Sequence, residues 1–409
     1  MNWFRRVMAA MLAMSVLTVS GCANTRKEDR EPDVPDVADM PESEPEETSE
    51  DSAGEKDVGG ESAVGEELIE GPAPELPAGE LALPADNRQF EIGFARQVLS
   101  LCSGHTAENE RKLLENAGFE VLVQNNFDKA ADDPAHTCAY TIGAKTVEYN
   151  GAERTLLLVA IRGTNAGEWY SNFDIAESQS DDAVFAENFL FTAEDVLLGL
   201  TEVLKTQRAP LVLVCGHSRG AACANLLALL LNAQIGADNV IAYTFATPNT
   251  FRGEDPGVDC SNIFNLINPG DIVTKMPLEG WGYHRLGTDV LLPGEADAEK
   301  KVNEAAGTML ELAPTISQYY GERHSLTEAG LSDDGVTAFE MMLIFARSLA
   351  GTGTDTQSVG FGEVSEESDF ALPFRLLDEA MKEGGEGAAG AAGQHMPAKY
   401  QKLMAEYGE

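Results

Sequence analysis

Positive charge is scarce in this 409-residue chain: 28 Lys and Arg face 68 Asp and Glu, for a formal net charge of −40. Such a balance excludes binding to nucleic acid or to an anionic bilayer through general electrostatics. The six cysteines fall in no Cys-x-x-Cys pair, and no His/Cys spacing suggests a metal site; no cofactor or metal is implied. Beyond the first residues there is no charge-free apolar run near the length a spanning helix needs. From Lys27 to about Asp86 the chain is almost free of aromatics and rich in Glu, Asp, Pro, Gly and Ser. A segment of that composition cannot bury enough apolar surface to offset the entropy of ordering, and its like charges keep it extended, so residues 22–86 are read as an acidic disordered tether.

The N-terminus does carry a short apolar run. Arg5 and Arg6 precede Val7 to Val19, which is followed by Val19-Ser20-Gly21-Cys22. The run is short for a bilayer span and suits the core of a signal peptide. Its end resembles the lipobox of bacterial lipoproteins, in which cleavage before the Cys is followed by lipidation of the thiol. Residues 1–21 are therefore expected to be a lipoprotein signal peptide and Cys22 a lipid-anchored residue, the alternative being an uncleaved anchor. This predicts an extracytoplasmic protein held on a bacterial cell membrane.

Hydrophobic residues make up 43% of the chain, enough for a sizeable core, and residues 87–409 are expected to fold. Apolar spacing predicts helices over Phe90 to Leu101, Ala107 to Ala117 and Ala193 to Lys205. Cys138 to Tyr149 alternates as a strand does, and Asn150-Gly151 supplies a tight turn. Thr155 to Ile161, Leu211 to Cys215, Val240 to Phe245 and Ile263 to Ile267 read as buried strands, with an apolar helix over Ala221 to Leu231. Strands alternating with helices predict an α/β fold: a mostly parallel sheet with helices on both faces. Cys215 and Cys223 are expected to be ordinary buried thiols, while Cys102 and Cys138 are a candidate disulfide pair.

Gly216-His217-Ser218-Arg219-Gly220 is a Gly-x-Ser-x-Gly run with a strand before it and a helix of small residues after it, the context a nucleophile elbow requires. The elbow places the serine on a strained turn, its flanking glycines remove side chains that would clash, and the helix N-terminus lies beside a developing oxyanion. Ser218 is the candidate nucleophile. His217 is adjacent to it, and neighbours on such a turn point apart, so His217 is read as structural.

Three segments together resemble the class 3 lipase family. They are Gly216 to Gly220, then Ile161-Arg162-Gly163-Thr164 with Trp169, and Phe245-Ala246-Thr247-Pro248 followed by Asn268-Pro269-Gly270-Asp271-Ile272-Val273. The resemblance spans about Ala139 to Gly287 and excludes the tether and an insertion at about 294–393. It implies an α/β-hydrolase fold, hydrolysis of a carboxylic ester, and a Ser-Asp-His triad in that chain order.

Asp271 follows a strand, at the carboxyl end where such sheets place functional loops, and it stands at the family's acid position. Of the six histidines, His324 and His395 follow it at a workable distance. The spacing of His324 resembles the short fungal enzymes. His395, followed by Tyr400, resembles the bacterial relatives, where the base opens a final helix; it is favoured, with His324 the alternative. The oxyanion donors would be the backbone N–H of Arg219 and, by resemblance, Thr164. Asn172 stands where the family has an Asp. By resemblance, Asn165 to about Phe189 is the lid region; the other reading is a surface loop with buried aromatic anchors. The expected substrate is a fatty acyl ester. Rivals are a phospholipase, polysaccharide esterase or acyltransferase with the same triad, and an inactive surface-binding lipoprotein.

Overall fold

A computed structural model describes residues 81–104, 106–127, 137–163, 177–180, 183–253, 256–307 and 393–408. The expected signal peptide, Cys22, most of the expected tether, Thr164, Trp169, Asn172, His324 and residues 308–392 of the expected insertion lie outside the described residues. The first described residues, Leu81 and Leu83, are partly buried against the core, and Asn87 donates to the carbonyls of Ala237 and Val240 at 2.7 and 2.8 Å. Ordered packing thus begins a few residues before the expected boundary at 87.

Helices α1 (Ile92–Leu101) and α2 (Ala107–Asn116) come first. Strands β1 (Glu120–Asn125), β2 (Tyr140–Tyr149) and β3 (Ala152–Ile161) follow. Asn150 and Gly151, with φ of 54° and 73°, join β2 to β3 in the doubly left-handed turn that suits a two-residue hairpin. Next come β4 (Glu177–Ser180), β5 (Ala183–Ala186) and helix α3 (Glu187–Leu204). Then β6 (Pro210–His217), α4 (Arg219–Ile235), β7 (Val240–Phe245), β8 (Phe251–Arg252) and β9 (Ile263–Ile267) lead to β10 (Tyr283–His284) and β11 (Thr288–Leu291). A helical segment covers 296–307, and α5 (Pro397–Glu406) ends the chain, with proline at its first turn where the missing N–H costs nothing.

The main sheet has the order β1-β2-β3-β6-β7-β9-β11, parallel from β3 onward, with β1 and β2 antiparallel at one edge. Its central strands are apolar throughout because both faces are covered. Alternation sorts the side chains. Leu156, Leu158, Leu211, Leu213, Cys215, Ile241, Tyr243 and Phe245 share one core with α1 and α5. Their neighbours Leu157, Val159, Val212, Val214 and Ala242, equally buried, turn to the opposite face, where α4 packs against α3. This is the α/β-hydrolase arrangement. A small antiparallel sheet, β10-β8-β5-β4, adds to it. Phe185 of that sheet packs on Phe251 at 5.3 Å between ring centroids. The described end of the expected lid region, residues 177–180 and 183–189, is therefore hairpin and helix start.

The candidate disulfide between Cys102 and Cys138 does not form: both thiols are free and buried. Cys102 ends α1 in the core that holds Cys215, whereas Cys138 lies against Thr192 of α3, whose hydroxyl contacts Cys223 of α4. The two cysteines belong to different cores. Cys215 and Cys223 are completely buried, as expected of structural thiols.

Candidate active site

Ser218 stands between β6 and α4 with φ 57° and ψ −126°, outside the regions an L-residue ordinarily adopts. The fold over-determines this conformation. The Ser218 N–H donates to the Phe245 carbonyl of β7 at 2.9 Å, and the Ser218 carbonyl accepts from Ala221 and Ala222 in the first turn of α4. The glycines on either side are steric necessities: a Cβ at Gly216 would lie 2.2 Å from the Gly220 carbonyl oxygen, and one at Gly220 would lie 2.3 Å from that of Ile161. Arg219 opens α4, so its N–H lies at the positive end of the helix. Its side chain is buried and donates to the Thr137 carbonyl.

The acid loop is built by local hydrogen bonds after β9. Asn268 Oδ1 accepts from Gly270 N–H at 3.0 Å, and Asp271 N–H donates to the Asn268 carbonyl at 3.0 Å. Asp271 is completely buried and caps a short 3₁₀ turn, Ile272–Lys275, by accepting from Val273 N–H at 3.0 Å through Oδ1. That leaves Oδ2 directed towards the C-terminal segment. Because β6 and β9 belong to the parallel part of the sheet, their carboxyl ends, and hence Ser218 and Asp271, lie on the same edge.

His395 bridges them. Its Nε2 is 2.8 Å from Ser218 Oγ and its Nδ1 is 2.8 Å from Asp271 Oδ2. With the carboxylate accepting from Nδ1–H, Nε2 is the acceptor for the serine hydroxyl. His395 lies just before α5, and several contacts seat this segment. Asn268 Nδ2 donates to the Gln394 carbonyl and side chain at 2.8 and 3.0 Å. Lys399 pairs with Glu295 at 2.6 Å. Tyr400, fully buried, donates its hydroxyl proton to Asp271 Oδ2 at 2.8 Å and accepts from Asn268 N–H at 3.2 Å. Burial, and then the Asp271 charge, push the Tyr400 hydroxyl well above its ordinary value, so it stays a neutral donor.

His217 faces the backbone of the His395 segment. Its Nε2 donates to the backbone carbonyl of His395 at 2.9 Å and its ring stacks obliquely on that of His395, 4.9 Å between centroids. His284 lies in β10, paired with Phe251. His105, His136 and His324 lie outside the described residues. So does Thr164, the other expected oxyanion donor. Its neighbour Gly163 packs on the elbow: a Cβ there would lie 3.1 Å from the His217 carbonyl oxygen and 3.7 Å from Ser218 Cβ.

A buried polar layer supports this edge of the sheet, and apolar periodicity gave no sign of it. Asn225 of α4 donates to Asn265 Oδ1 and to the Leu286 carbonyl, and Thr244 donates to Asn265 Oδ1. Arg285 donates to the carbonyls of Thr247 and Thr274, tying the loop after β7 to the turn that Asp271 caps. Each of these groups finds a partner, as buried polar atoms must.

Residues 158–281 match the family model of class 3 lipases. No curated protein matches the sequence. Among solved structures, a fungal lipase–inhibitor complex is 15% identical, covers 50% of this chain and 82% of its own, and superposes with a TM-score of 0.38. The mono- and diacylglycerol lipase from Aspergillus oryzae is 20% identical over 51% of this chain and 81% of its own, with a TM-score of 0.38. The triacylglyceride lipase of Rhizomucor miehei is 16% identical over 49% and 78%, with a TM-score of 0.36. The segment 158–281, which is similar to class 3 lipases, carries both Ser218 and Asp271, and this match supports a lipase-type carboxylic ester hydrolase.

Proposed function

We propose that Ser218, His395 and Asp271 form the catalytic triad of this hydrolase and that its substrate is an ester of a fatty acyl chain. One observation carries the reading: a single imidazole is within 2.8 Å of both a strained, elbow-borne hydroxyl and a buried carboxylate. His395 Nε2 takes the proton as Ser218 Oγ attacks the ester carbonyl. Asp271 keeps Nδ1 protonated and stabilises the imidazolium. The Arg219 N–H, together with Thr164, receives charge on the carbonyl oxygen. The imidazolium then protonates the leaving alcohol, and water repeats the sequence on the acyl-enzyme. The acyl specificity follows from the family match and from no side chain described above.

Ser218→Ala, assayed on esters of rising acyl length above and below their solubility limits, tests both parts. Expected are loss of turnover by about a million-fold and loss of fluorophosphonate labelling in the variant, and preference for long-chain esters in the parent. Full activity in the variant would exclude Ser218, whereas preference of the parent for acetylated polysaccharide would retain the triad and replace the substrate, and preference for phospholipid or for a non-water acceptor would retain the triad and change the head group or the acceptor. The Val19-Ser20-Gly21-Cys22 run further supports anchoring of the mature protein by lipid at Cys22 on the extracytoplasmic side of a bacterial membrane.

A further inference from the structure

Asp271 Oδ2 accepts two hydrogen bonds, one from His395 Nδ1 and one from the Tyr400 hydroxyl, both at 2.8 Å. The phenol proton is committed to this oxygen, because the Tyr400 oxygen itself accepts from Asn268 N–H. His395 and Tyr400 flank the start of α5, so one short segment delivers both the base and a donor to the acid. A satisfied core tyrosine would need only some acceptor. This one uses the oxygen that carries the imidazole, in a site with no exposure of either partner.

We propose that Tyr400 is a positioning residue for the reaction: its hydroxyl fixes Asp271 Oδ2 towards His395 and shares that oxygen's negative charge, which sets how strongly the acid holds the imidazolium. The proposal rests on the Ser218 mechanism above. The proton moved in each step still travels between Ser218 Oγ, His395 Nε2 and the leaving group; Tyr400 gives up none. Hydrogen bonds to a charged acceptor are the strong ones, and a buried site enlarges their effect. Removing the phenolic O–H leaves the charge on Oδ2 unshared, which strengthens the hold of the acid on the imidazolium. The acid limb of kcat/KM must then move upward. Among the described residues, the other ionisable groups facing this cluster are His217, whose ring meets that of Tyr400 edge-on at 5.9 Å, and Arg285, whose charge acts on the Tyr400 hydroxyl. Both remain in place in the variants below.

The test compares the full-length protein with Tyr400→Phe and with 3-fluorotyrosine at position 400, by pH profiles of ester hydrolysis and by the rate of fluorophosphonate labelling. Tyr400→Phe is expected to lower kcat by roughly tenfold with little change in KM, and to raise the acid limb by about half a pH unit. Fluorotyrosine keeps the ring and strengthens the donor, so its acid limb moves the opposite way. That second variant decides the matter if the phenylalanine variant folds poorly. Unchanged limbs in both folded variants, or shifts of the same sign, would overturn the positioning role. Absence of hydrolysis and labelling in the unaltered protein would instead defeat the Ser218 mechanism.

Discussion

His217 Nε2 donates a hydrogen bond to the backbone carbonyl of His395 at 2.9 Å. The residue before Ser218 thus holds the segment that carries His395. Ser218 and His395 are far apart in sequence, and the serine–imidazole distance depends on seating a C-terminal turn against the end of β6. In the proposed mechanism His217 acts on geometry and takes no proton from substrate or serine. In His217→Phe, which keeps a ring but loses the donor, kcat should fall about tenfold with the fold intact, since small displacements of a catalytic group are costly. Steady-state kinetics beside a thermal melt check this; an unchanged kcat in a folded variant would limit His217 to packing.

The base itself can be decided by two substitutions. His395→Ala removes proton transfer, so turnover should collapse nearly as far as in Ser218→Ala. His324→Ala should leave activity within about twofold, as a residue that takes no part in the proton transfer would. Circular dichroism on both proteins separates loss of the base from loss of fold. The reverse pattern would move the base to His324.

Glu110 of α2 is almost fully buried, and burial pushes its carboxyl well above the ordinary 4.5, against smaller opposing effects from the Gly104 N–H and Arg162. Its folded-state value thus exceeds its unfolded one. The stability it contributes is complete below 4.5 and is lost as pH rises through the raised value. Glu110→Gln, which cannot ionise, should escape that loss. The gap between the melting temperatures of variant and parent should widen in the variant's favour from acid to neutral pH, by about 2–4 °C per kcal/mol. A gap that stays constant with pH would show that Glu110 is not titrating in the folded protein.

Lipidation at Cys22 predicts that the mature protein fractionates with membranes and that Cys22→Ser releases or misprocesses it. The net charge of −40 opposes adsorption to anionic lipid, so the anchor must supply the attachment. Fractionation and intact-mass measurement provide the check. A Cys22→Ser protein that is processed and membrane-bound like its parent would rule the anchor out.

Much of the scaffold was legible in the sequence. The buried strands β3, β6, β7 and β9 are continuous apolar runs, and such runs have few other uses in a soluble fold. Ser218 and Asp271 could be named because each directly follows one of these strands in a turn of distinctive residues. The edges were not legible. β1 has a mixed burial pattern and β11 only four residues, so neither gives a clear periodic signal. Helix α3 starts at Glu187, earlier than its amphipathic spacing suggested, because Phe189 and Leu190 already pack in the core. The pairing considered for Cys102 and Cys138 failed because sequence does not reveal which face of the sheet a cysteine occupies.

The sequence by itself determined the order of the central strands and their helices, the elbow, and the aspartate after β9. These are local: strand periodicity, the two glycines and the Asn-Pro-Gly-Asp turn each act within a few residues. Only the tertiary structure decided which atoms meet. The bridge by His395, the bond from Tyr400 to Asp271 Oδ2 and the hold of His217 on the His395 carbonyl all join residues far apart in the chain. Such contacts exist because parallel strands bring their carboxyl ends to one edge and α5 packs beside them, and no local pattern of residues encodes the resulting distances.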